Sequence, residues 1–161
     1  MYRPAPATGV LAAVAAVAVA SVGAALVSQH VFGMMPCPWC VLQRLIFLLV
    51  AAAALLGVAW RSIAGQRVAA AGILLTALLG VAAALWQHFV ATSSASCNLT
   101  LADRILSALT LDARFPEVFA AYASCADAKV NLFGLPYEFW SLGLFVALGG
   151  VGAWLLAKRL R

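Results

Sequence analysis

Four long apolar runs, Gly9 to Val27, Val41 to Trp60, Val68 to Trp86 and Phe139 to Ala157, constrain this chain more than any other feature. Each holds 19 or 20 residues. At about 1.5 Å per residue, a helix of that length covers the roughly 30 Å hydrocarbon core of a bilayer. Of the 161 residues, 66% are hydrophobic and 9% charged, too little polar surface to clothe a water-soluble core. The runs predict an all-α membrane protein: a four-transmembrane-helix bundle forming a single integral membrane domain over 1–161, with outer loops at 28–40 and 87–138. The first run also has signal-peptide features, since Arg3 precedes it and Ala18-Val19-Ala20 resembles a cleavage site. Its apolar stretch exceeds the roughly 7 to 15 residues usual for such a segment, so a retained helix is expected.

The net charge of +5 lies mainly at the ends of the runs. A nucleic-acid surface would cluster its cations among polar or aromatic residues, so the pattern argues for topology and against nucleic acid as a partner. Arg3 precedes the first run, Arg61 and Arg67 lie between the second and third, and Lys158, Arg159 and Arg161 follow the fourth. The positive-inside rule makes these segments, and both termini, cytoplasmic. The stretch 29–40 has no lysine or arginine, and 88–136 sets Arg104, Arg114 and Lys129 against Asp103, Asp112, Glu117 and Asp127. Both of these loops are expected to face outward.

All four cysteines fall in the outward loops, Cys37 and Cys40 in the first, Cys97 and Cys125 in the second. That is where disulfides persist, and the even number implies two redox pairs. A metal centre would need converging thiolates in tetrahedral geometry. Cys37-x-x-Cys40 alone suits zinc, but Cys97 and Cys125 offer no second close spacing, so disulfides are favoured and no metal is expected. Two alternatives stay open: a structural tetraspan stapled by inert disulfides, and a metal-binding protein using Cys37, Cys40 and His88.

Chemistry concentrates in Pro36-Cys37-Pro38-Trp39-Cys40-Val41-Leu42-Gln43-Arg44. If Cys40 opens the second helix, Cys37, Cys40 and Arg44 lie on or near one face. A cysteine at a helix N-terminus beside a cation is biased toward the thiolate, the form competent in exchange. Arg44 is always protonated. It either snorkels to lipid phosphates or serves function, the default for a charge at membrane depth.

The third run repeats small residues at Gly72, Thr76, Gly80 and Ala84, and the fourth more weakly at Gly143, Ala147 and Val151, a pattern that lets membrane helices approach closely. The second outer loop is too long for a plain connector. Its Pro116 suits a helix start, and Val118, Phe119 and Tyr122 form a short apolar face, for the membrane interface or for a small core of the loop's own. His30 reads as a solvated loop residue. His88, at the outer end of the third run, is either a proton or hydrogen-bond donor or part of an aromatic belt with Trp86 and Phe89.

The cysteine motif followed by Gln43-Arg44, the four spans and the second outer cysteine pair together resemble the DsbB family of bacterial inner-membrane disulfide-bond formation proteins, over nearly the whole chain. The resemblance implies a thiol:quinone oxidoreductase that reoxidises a periplasmic DsbA-like thiol oxidase and draws on the membrane lipid and quinone pool, either ubiquinone or menaquinone. It implies that Cys37 and Cys40 form the quinone-coupled pair, with Cys40 nearest the ring, and that Arg44 helps bind the quinone. By the same resemblance Cys97 forms the mixed disulfide with the partner, Cys125 resolves it, and a Cys37–Cys125 interloop disulfide is an intermediate. A histidine near the quinone in the family matches His88.

Overall fold

The computed structural model describes residues 7–91, 100–128, 130–132 and 134–158. Four long helices dominate: α1 (Thr8–His30), α2 (Pro38–Ala59), α3 (Ile63–Phe89) and α7 (Tyr137–Ala157). All four are long and apolar enough to cross a membrane. They are apolar nearly all round, as helices solvated by lipid must be: Leu75, Leu78 and Leu79 of α3 point outward while Ala69, Ala70, Ile73 and Ala77 pack inside. The protein is an all-α, four-helix membrane bundle.

The helices extend beyond the apolar runs because their ends are set by caps as well as by hydropathy. The Ser62 hydroxyl accepts from Gly65 N (3.0 Å) and starts α3 at Ile63, so Gln66 and Arg67 are helical rather than looped. Cys37 is the N-cap of α2, its sulfur accepting from Cys40 N (3.3 Å), and Pro38 occupies the first turn, where its missing N–H costs nothing. Cys40 therefore stands inside the first turn of α2, closer to the membrane than a loop residue would be. Helix α1 continues through His30, whose Nε2 donates to the Glu117 carbonyl (3.2 Å), so His30 ties the first helix to the long connection and is not a free loop residue.

Consecutive long helices pack in the order α1 on α2, α2 on α3 and α3 on α7. The small residues act as expected, though not as one stripe. Gly72 faces Ala53 of α2, whereas Gly80 lies under the Phe145 ring of α7. In α7 the close approach is made by Gly149 and Gly152, the latter against the backbone of Ala70 and Leu74, while a side chain at Gly143 would meet open space. Phe145 also stacks on Phe47 of α2, ring centroids 4.0 Å apart, closing the bundle.

The connection from α3 to α7 holds α4 (Leu101–Ala108), α5 (Leu111–Arg114), α6 (Pro116–Phe119) and a two-residue hairpin, β1 (Asn131–Leu132) with β2 (Leu135–Pro136). Gly134, at φ +83, makes the hairpin turn. A capping box between Thr100 and Asp103 starts α4. The helix starting at Pro116 is a single turn, and Tyr122 lies beyond it. Phe119 packs with Val41 and Leu106, so the segment seats on the protein's own core. The next residues dock on the first loop, Tyr122 N and Ala123 N both donating to the Pro36 carbonyl (3.0 and 3.3 Å).

Candidate functional site

Three cysteines meet where these loops dock. Cys37 is fully buried, with its Sγ 2.6 Å from that of Cys40, and it also hydrogen-bonds the Cys125 thiol. All three are free thiols. The Cys125 side is built locally: the Ser124 hydroxyl accepts from Asp127 N (3.2 Å) and donates to the Asp127 carboxylate (2.6 Å), shaping the turn that aims Cys125 inward. The hydrogen bond with Cys125, that with Cys40 and burial hold the Cys37 proton far above the ordinary thiol range. The same bond from Cys37, helped by the Trp39 N–H, lowers Cys125, so Cys37 keeps the proton and Cys125 is the thiolate-prone partner. Cys97 lies outside the described residues.

Cys40 faces the other way, into a cavity of about 230 Å³ between α1, α2, α7 and the tip of α3. Its sulfur accepts a hydrogen bond from Gln87 Nε2 (3.3 Å), and Gln87 Oε1 in turn accepts from Gln43 Nε2 (2.7 Å). Arg44 follows Cys40 by one turn and also lines the cavity. Only 5% exposed, it does not snorkel: its guanidinium donates to Gln29 Oε1 (2.7 Å), the Val118 carbonyl (2.9 Å) and the Ala25 carbonyl (3.5 Å). One cation thus joins α1, α2 and the long connection one turn from the Cys40 sulfur.

His88 does not line the cavity. Its Nδ1 pairs with Glu138 Oε1 at 2.9 Å, and its ring lies edge-on to Phe89 and Phe139. Glu138, buried in the first turn of α7, is the group that lines the cavity, next to Tyr137.

Sequence reasoning missed Gln29, Gln43 as an amide partner, Gln87 and Glu138. A signal existed for each, since polar side chains inside or abutting apolar runs are functional candidates by default. Glu138 was lost by one residue, because the fourth run was drawn from Phe139.

A four-helix membrane bundle that sets adjoining thiols against an apolar cavity with a few inward polar groups defines a membrane-embedded oxidoreductase that forms disulfides. The family model for disulfide bond formation protein DsbB matches residues 7–155, and this chain belongs to the DsbB family. It is 35% identical over 133 residues to disulfide bond formation protein B 1 of Pseudomonas savastanoi pv. phaseolicola, covering 81% of this chain and 78% of that one. To disulfide bond formation protein B of Azoarcus sp. it is 33% identical over 135 residues, 81% of each chain. To the protein of that name from Aromatoleum aromaticum it is 30% identical over 148 residues, 89% of each.

Proposed function

We propose that this protein reoxidises a periplasmic DsbA-like dithiol oxidase and delivers the electrons to a membrane quinone, ubiquinone or menaquinone. One observation carries the reading: three sulfurs stand in series, Cys125 against Cys37, Cys37 against Cys40, and Cys40 opens onto the cavity.

Disulfide exchange is attack of a thiolate on one sulfur with departure of the other as thiolate. A partner thiolate attacks Cys97 of the Cys97–Cys125 disulfide, forming the mixed disulfide at Cys97 and freeing the Cys125 thiolate. The partner's second thiol later displaces Cys97 and leaves the partner oxidised. Cys125, released as a thiolate and steadied by the Trp39 N–H, attacks Cys37 of the Cys37–Cys40 disulfide. The bond that breaks frees the Cys40 thiolate, and the bond that forms is the interloop Cys37–Cys125 disulfide. When the displaced Cys97 attacks Cys125, their disulfide re-forms and the Cys37 thiolate is freed, leaving the two electrons on the Cys37/Cys40 pair. Gln87 Nε2–H receives the charge on Cys40, as do the first-turn N–H groups of α2 and the Arg44 cation.

The cavity suits a quinone ring. It is large enough for one substituted ring, walled by apolar side chains that include Phe47 and Trp140, with Arg44, Gln43, Gln87 and Glu138 among its polar groups. A quinone bound there supplies a two-electron acceptor for the thiol pair. Arg44, Gln87 and Cys40 hold and orient it, and His88 acts behind Glu138. The cysteine end is periplasmic and the end carrying Arg61, Arg67 and Lys158 cytoplasmic, in a bacterial inner membrane, as the positive-inside rule supports.

The test mixes the purified protein with a reduced dithiol oxidase and a quinone and follows quinone absorbance. Turnover is expected. Cys40→Ser abolishes quinone reduction, and Cys97→Ser blocks the partner reaction alone. No turnover by the native protein, or turnover that survives Cys37→Ser, overturns the proposal.

A further inference from the structure

The proposed reaction moves protons as well as electrons. Converting the Cys37–Cys40 dithiol to a disulfide releases two electrons and two protons, and forming a quinol consumes two of each. The Cys40 surroundings described above are amides, a guanidinium and apolar walls, which are not general acids. The cavity's side chains with an acidic O–H are Glu138 and Tyr137, and Glu138 is the one bonded to a histidine. Its carboxyl group lines the cavity and is 7% exposed, while its hydrogen-bond partner His88 has a side chain 33% exposed at the outer end of α3. The titratable or charged groups around it are His88 on α3, Arg44 and Cys40 on α2 and its neighbour Tyr137.

Resting on the proposed function, we infer that Glu138 is a catalytic proton donor to the reduced ring oxygen and that His88 is the positioning and relay residue that reprotonates it from water. Glu138 loses the proton of its carboxyl O–H to the ring oxygen. It regains one from the His88 ring, which takes its replacement from solvent at the membrane surface. The competing explanation is structural, a carboxylate favoured by the N-terminal dipole of α7.

Two measurements on the full-length protein decide between them. In quinone-free protein labelled with ¹⁵N-histidine, the His88 ring-nitrogen signals are expected to change their protonation pattern in Glu138→Gln. In the quinone assay, Glu138→Gln keeps a hydrogen-bonding group of the same shape but cannot supply the proton. Its turnover is expected to fall roughly tenfold to a hundredfold, within or just below the range for a lost general acid. The solvent deuterium isotope effect should rise and formate should restore part of the rate. Unchanged His88 signals, unchanged turnover, or a loss that formate does not rescue and that leaves the isotope effect unaltered each overturn the inference and leave the quinone assignment standing. Absence of quinone reduction by the native protein overturns both.

Discussion

At the end of the bundle where α2 meets α3, one polar side chain, Gln66, is buried among the described residues; at the opposite end there are five, Gln29, Gln43, Arg44, Gln87 and Glu138. The first end resembles ordinary membrane packing. Gly57 sits against Ala69 and Leu11, and Gln66 reaches only Thr8, at 3.4 Å, leaving its Oε1 unpaired. The cysteine end does the opposite, pairing each buried polar side chain with another group. Burying polar groups in an apolar medium is costly unless they are bonded, so a cluster of five bonded ones marks where the fold gives up stability for chemistry.

Perturbing the two ends should have unequal effects. The largest belongs to Arg44→Met, which strands Gln29 Oε1 and the Val118 carbonyl and loosens the long connection from α1 and α2. The expected loss is about 1–3 kcal/mol of stability, read by thermal unfolding in detergent, together with a fall in Cys37–Cys125 cross-linking measured by non-reducing mass spectrometry. Arg44→Lys should recover little of either, since one ammonium cannot reproduce the guanidinium's several directed bonds.

Next comes Gln87→Leu. It removes the hydrogen bond to the Cys40 sulfur and leaves the Gln43 donor unpaired, at about 1 kcal/mol of stability and about tenfold in quinone reduction, since 1.4 kcal/mol of lost thiolate stabilisation corresponds to that factor. Normal quinone kinetics in this variant would show that the amide pair only packs.

A subtler effect concerns Cys125. Its thiolate is favoured chiefly by the bond from Cys37, so Cys37→Ala should move the pH profile of Cys125 alkylation upward. A profile that stays put or moves down would break the proton-sharing between the loops. The smallest change is expected at the quiet end: Gln66→Leu gives up one long hydrogen bond and an unpaired oxygen, for a stability change within about 0.5 kcal/mol and no change in redox turnover. A large loss there would erase the contrast between the ends.

The four spans were legible because hydropathy integrated over about 20 residues is a strong signal. Helix ends were less legible. The caps at Cys37 and Ser62 extend α2 and α3 into polar sequence, where an apolar count stops. Helix α4 could have been found from Thr100 and Asp103, whose spacing is that of a capping box. The site was half visible. Cys37, Cys40, Arg44 and His88 stood out by type and spacing, whereas the bonds that organise them, Gln43 to Gln87 and His88 to Glu138, join residues 44 and 50 positions apart and have no local signature. Arg44 shows the same limit from another side, since its charge was evident while its role as a three-way tie depends on segments far away in sequence.

The double acceptance by the Pro36 carbonyl carries a consequence for how such a protein can diversify. The two loops are registered there by main-chain groups, Tyr122 N and Ala123 N on one oxygen, and no side chain is spent on the register itself. Substitutions at 122 and 123 can reshape the exposed surface there while the main-chain bonds that register the two loops are kept. On the proposed function, partner choice and electron transfer would then fall on separately mutable parts of one short segment.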